Sequence, residues 1–171
     1  MSKYLPIENI IYKTKLSKDQ VIQKLNENVE VDKSIGFGLF NLTYSKPYYG
    51  KINSYSFEIK RVISYNNSFL PQIKGEVYSD FYGTRIRVNM KLHSYVSVFM
   101  SIYFVGVLFG CIVVTFALFT QDFTPFFLIP FGMLLFGIAL VYGAFKTESS
   151  TSKTDLKRIF EAEIETDNEL K

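Results

Sequence analysis

The sequence predicts an α+β membrane protein: a small antiparallel sheet with N- and C-terminal helices, and a transmembrane helical hairpin inserted before the last helix. Three observations carry this. Two runs, 95–120 and 126–145, contain no Asp, Glu, Lys or Arg, and each reaches the roughly 20 residues that cross about 30 Å of hydrocarbon. Between residues 48 and 92 apolar and polar side chains alternate, the period of half-buried strands. Stretches of helical spacing lie on either side of these regions.

Composition narrows the field. An apolar share of 48% with 17% aromatics excludes a disordered chain, and a net charge of +3 is too near balance for a protein that coats nucleic acid. One cysteine excludes a disulfide framework or a Cys-based zinc site, and one histidine excludes a His-rich metal site. No cofactor or metal is expected.

Ile7 to Leu16 has strand composition. Ser17 with Gln20 three residues later spells a capping box for a helix through about Asn28, with Leu16 and Val21 as its hydrophobic staple. Val21, Ile22, Leu25 and Val29 then form one apolar stripe, which needs a sheet to cover. From Val31 to Lys46 the pattern lapses around Gly36 and Gly38; no Lys-Ser/Thr follows, so no phosphate cradle is expected. Strands come next in pairs, 48–52 with 55–63 around Asn53-Ser54, and 72–79 with 84–92 around a turn ending at Gly83. Ile86, Val88, Met90 and Leu92 alternate with Arg85, Arg87, Asn89 and Lys91, giving one core face and one wet, basic face that also takes Lys60 and Lys74. Gly75, inside a strand, marks a bulge or a close approach.

The connection 121–125 has room only for a turn, so the two apolar runs form an antiparallel hairpin. It contains no Lys or Arg, whereas 14 of the 19 Lys and Arg precede residue 95 and the rest follow residue 145. The positive-inside rule therefore places both termini in the cytoplasm of a multi-pass inner-membrane protein. Gly106 and Gly110, with Ala139 and Gly143, have the small-xxx-small spacing that lets helices pack closely in lipid. Pro130 is expected to bend the second helix, Cys111 to act as a small apolar filler, and the lack of intramembrane charge to argue against a transporter. After the hairpin, Thr147 to Ser152 reads as a polar linker, and Thr154 caps a last helix whose Leu156, Ile159, Phe160 and Ile164 dock on the first domain. The chain thus divides into a cytoplasmic domain at 1–93, a hairpin at 94–146, and a linker with a docking helix at 147–171.

Arg61 falls on the apolar alternation of Phe57, Ile59 and Ile63, where a charge must be paired or must reach a site. It either reaches water as the strand register breaks or binds an anion in a pocket. Asn67, Ser68 and Phe69 belong to a turn-forming box that offers a ligand or partner contact. Arg85, Arg87, Lys91 and His93 are expected at the membrane surface, where each cation near an anionic leaflet gains about 1 kcal/mol. No carboxylates pair on one face, so no catalytic set is assigned.

The stretch from Gly50 to Met100 carries Tyr65, Asn67, Ser68, Phe69, Leu70, Pro71, Gly75, Gly83, Thr84, Leu92 and His93. With these it resembles a family of small, uncharacterised bacterial two-helix membrane proteins, whose box reads Tyr-Arg-Asn-Ser-Phe-Leu-Pro. Asn66 stands where that family has Arg, and Ser94 where it has Pro. The resemblance implies the two-pass architecture and no particular activity. The order of elements is also similar to a reduced helix-grip (START-like) fold, which implies a hydrophobic ligand under a long helix. The function expected is a membrane-anchored binding or adaptor module, recognising a lipid-like ligand or a partner protein. The alternative is an effector that forms homo-oligomers and permeabilises or remodels the bilayer.

Overall fold

In chain order the elements are β1 (Ile7–Thr14), α1 (Lys18–Asn28), β2 (Val29–Val31), β3 (Tyr48–Asn53), β4 (Ser56–Arg61), β5 (Gln72–Asp80), β6 (Gly83–Lys91), α2 (Ser94–Ala117), a 3-10 turn (Pro125–Leu128), α3 (Ile129–Ile159) and β7 (Glu163–Ile164). They are taken from a computed structural model that describes residues 6–32, 44–81, 83–120 and 122–165. Gly36 and Gly38 lie outside the described residues.

The protein is α+β. Seven strands form one sheet in the order β2-β3-β4-β5-β6-β1-β7, antiparallel throughout except for the parallel β2–β3 pair. The chain enters α1 through the expected box: Ser17 Oγ accepts from the Gln20 amide at 3.3 Å, and Gln20 Oε1 accepts from the Ser17 amide at 2.8 Å. Alternation then decides which side chains turn inward. Ile10 and Tyr12, Phe57 and Ile59, Ile73 and Val77, and Ile86, Val88 and Met90 are all buried. Over them lie Val21 and Leu25 of α1, together with Phe145 and Leu156 of α3 and Phe160 just beyond it. Each such side chain contributes about 1.5–3 kcal/mol by leaving water.

Gly75 is a close approach. The Phe57 ring lies across it so tightly that a Cβ at position 75 would fall 2.1 Å from the ring's Cζ. Phe57 thereby reaches Phe160, their ring centroids 6.0 Å apart, and Phe160 meets Tyr12 edge-on at 5.7 Å.

α2 and α3 are long and apolar enough to cross a membrane. Their mutual packing differs from the expected small-residue pairing. Gly110 meets Pro130, but Gly106 and Gly143 have open space where a side chain would be, and Ala139 is exposed. The close approach occurs at Gly137, where an added Cβ would lie 2.6 Å from Cε1 of Tyr103. Tyr103 also donates across the pair to the carbonyl of Met133 at 2.9 Å. A bulky ring seated in a glycine notch outweighs the alignment of two small-residue stripes, because it brings more atoms into contact. Pro130 does not bend a helix: it stands in the first turn of α3, where no amide donor is required of it.

The largest departure is at residues 147–152. No linker exists there; α3 is one helix of 31 residues, about 46 Å long at 1.5 Å per residue. The second hairpin helix and the expected last helix are therefore a single rod, and Thr154 lies inside it instead of capping a new one. Tertiary contacts override the local preference of Ser and Thr for turns and caps.

Candidate functional site

Two charged residues project from the inner face of the sheet at the end where β6 passes into α2. Glu8, the second residue of β1, lies on the side of Ile10 and Tyr12, and Arg61 closes β4 on the side of Phe57 and Ile59. Register places both at the same end, since Ile7 and Gln72 each pair with Lys91, and Arg61 pairs with Tyr48. As α3 leaves the hairpin it passes over this end and supplies the complementary groups. Lys146 pairs with Glu8, whose carboxylate also accepts from Ser149 Oγ at 3.3 Å. Glu148 pairs with Arg61 at 3.1 Å.

Glu148 is the centre of the site. It is only 3% exposed, and a carboxylate so buried is tolerated only when its lone pairs are satisfied. Three donors converge on it: Arg61 Nη1 on Oε2, and both Asn67 Nδ2 at 3.1 Å and the Tyr65 hydroxyl on Oε1. The Tyr65 hydrogen bond to this carboxylate holds the phenol above its usual pKa range. The box between β4 and β5 is shaped to deliver these donors. Asn67 Oδ1 accepts from the Phe69 amide at 2.9 Å, a local turn that leaves Asn67 Nδ2 aimed at α3.

A second carboxylate extends the cluster. Arg61 Nε lies 3.8 Å from Asp155, which also accepts from the Tyr48 hydroxyl at 3.5 Å. Tyr48 is fully buried, and burial first, then the Asp155 charge, pushes its phenol well above the usual range. Ser152, also fully buried, lies beside that phenol.

Arg61 and Asn67 are thus brought together by the fold. Arg61 keeps the strand register and meets carboxylates of its own chain, so neither open water nor an external anion accounts for it. Phe69 packs against the edge of the core, while Ser68 is exposed and outside the cluster. The four expected membrane-surface residues are spread apart. Arg85 lies six residues along β6 from Lys91, about 20 Å away, where it pairs with Asp80 at 3.1 Å and Glu165 at 3.5 Å. It belongs to the end of the sheet remote from the hairpin. Arg87 sits over the Tyr78 ring at 5.5 Å. Lys91 and His93 remain at the hairpin end, and His93 caps α2 by accepting from the Tyr95 amide on Nδ1 at 3.3 Å.

Sequence reasoning misses Glu148, Tyr65, Tyr48 and Asp155. One signal pointed to them: Phe145, Ser149, Ser152 and Leu156 continue a helical stripe through the polar segment, and no Gly or Pro follows Gly143. Chemically the arrangement is a closed lock, with the acceptor saturated by charge-assisted hydrogen bonds. Among the described residues no group of His, Cys, Asp and Glu is placed to hold a metal ion. No protein-family model matches the chain, and neither does any curated protein or solved structure.

Proposed function

We propose that the chain is a non-catalytic, membrane-anchored adaptor, in which the hairpin spans the inner membrane with both termini in the cytoplasm and the sheet domain receives a partner protein. The observation that carries this reading is the face of the sheet that no described element covers. α1 and α3 occupy one face; on the other Asn9, Lys51, Lys74, Glu76, Tyr78 and Arg87 are exposed, around an open groove of about 310 Å³ lined by Glu58, Lys74, Glu76, Arg87 and Asn89. Tyr78 beside Arg87 is the kind of aromatic and guanidinium pair that dominates protein interfaces. The surplus of cations, with Lys60 and Lys91 on the same face, favours a partner with an acidic surface. A lipid-like ligand is less well supported, because Tyr12, Tyr48, Leu156 and Phe160 are fully buried in the space it would take under α3.

Membrane insertion is supported by the outward faces of the hairpin. Phe99, Val105, Phe109, Leu135 and Phe136 are each more than 60% exposed, and an apolar surface of that kind needs lipid around it. In a Cys111→Ala background, Asp122→Cys is expected to react with an impermeant maleimide on intact cells. Reaction only after lysis would reverse the orientation.

The partner is tested by photo-crosslinking in cells with benzoylphenylalanine in place of Tyr78. A discrete adduct that disappears with Arg87→Glu is expected; no adduct, or one indifferent to that charge reversal, would remove the adaptor reading. A second reading, the oligomerising effector, is favoured by one observation: Gly106, Ala139 and Gly143 face away from the hairpin's own interface and offer close packing to another copy. Native mass spectrometry from gentle detergent distinguishes the two, a monomer supporting the adaptor and ring-sized assemblies the effector.

A further inference from the structure

We propose that Glu148 is the pin of a latch, and that residues 147–152 are the element it holds helical and releases. In this segment, Thr-Glu-Ser-Ser-Thr-Ser, five of six residues are Ser or Thr, which favour caps and turns over helix interiors because their hydroxyls compete for backbone partners. That competition is visible. Thr147 Oγ1 donates to the Gly143 carbonyl at 2.9 Å, Ser149 Oγ to Lys146 at 3.2 Å, Thr151 Oγ1 to Thr147 at 3.1 Å, and Thr154 Oγ1 to Ser150 at 3.1 Å. Such bonds add nothing that water would not replace on unwinding.

What keeps the segment helical comes from elsewhere in the chain. Arg61, Tyr65 and Asn67 hold Glu148, Glu8 holds Ser149, and the Tyr12 hydroxyl donates to the Lys153 carbonyl at 3.1 Å. Local preference and tertiary context disagree over six residues, and the disagreement is resolved by tertiary tethers, of which the buried Glu148 carboxylate takes the most donors. A short element in that condition has two accessible states.

Its position gives the states different consequences. The sheet domain is joined to the hairpin twice. Between β6 and α2 only Leu92 and His93 intervene, a joint with about 7 Å of reach. The second joint is α3, which docks on the core through Phe145 just before the 147–152 segment and through Leu156, with Phe160 beyond it, after the segment. Latched, α3 ties its two docking points into one rigid rod; unlatched, the hairpin keeps the first joint and the Phe145 contact but no longer moves as one body with Leu156 and Phe160.

Hydrogen exchange on the full chain in nanodiscs tests the latch. Glu148→Gln keeps the shape and removes the charge, and exchange of the 147–152 amides is expected to rise on the order of tenfold while β5, β6 and residues 130–143 keep their protection. Adding Ser150→Ala, at an exposed position that favours helix, is expected to restore much of it. Unchanged protection at 147–152 overturns the proposal. So does a loss spread evenly over the sheet, which would make Glu148 a residue of the whole fold. If Glu148→Gln does not fold, Tyr65→Phe, which removes one donor and no charge, is read by the same criterion.

Discussion

Phe160→Ala is expected to destabilise the sheet domain by about 3–5 kcal/mol, the range for deleting a fully buried aromatic side chain. Phe160 has no solvent exposure, and its ring is wedged between Tyr12 of β1 and Phe57 of β4. Those neighbours cannot close over the gap. Tyr12 is tied by its hydroxyl to the Lys153 carbonyl, and Phe57 could fill the gap only by lifting off Gly75 and leaving a void there instead. Thermal unfolding of the full chain, followed by tyrosine fluorescence, measures the loss. A change below about 1 kcal/mol, within reach of an ordinary surface substitution, would mean that the end of α3 finds its main support somewhere other than the sheet.

Arg61→Met is expected to be as costly, about 3–5 kcal/mol, for a different reason: it leaves Glu148 buried without its cation. The Met side chain replaces much of the packing, so the charge is what the substitution removes. The double variant Arg61→Met with Glu148→Leu should recover most of the loss, because a buried ion pair replaced by apolar side chains of similar volume is often close to neutral. If the single and double variants are equally unstable, the pair is not coupled, and Arg61 acts through Asp155 alone.

Much of the architecture was legible because it is written in short-range patterns. The alternation from Arg85 to Lys91 assigns both faces of β6 without reference to any other strand, and the Ser17–Gln20 reciprocity needs only a three-residue interval. The hairpin was legible from the absence of charge over each run. The site was half legible. Arg61 betrays itself as a charge on an apolar period, whereas Glu148, 87 residues further on, sits in a segment whose own chemistry argues for a linker. Only the sheet beneath it decides otherwise. The packing of the hairpin was misread for a related reason: small-xxx-small spacing reports where helices can approach, and the choice of Gly137 over Gly106 and Gly143 depends on where the Tyr103 ring can be seated.

The order of these elements along the chain also sets the order in which the protein can be completed. Among the described residues made before the hairpin, α1 is the only helix over the inner face, and the hydroxyl of Tyr12 waits for a carbonyl 141 residues later. Phe145, Leu156, Phe160 and the β7 strand, which finish the core, are synthesised within or after α3, the second helix of the hairpin. The sheet therefore matures last, whatever the speed of its own strands. A chain whose hairpin goes astray keeps an unroofed apolar sheet on display to chaperones and proteases, so a failure of placement becomes a failure of folding and is cleared as one.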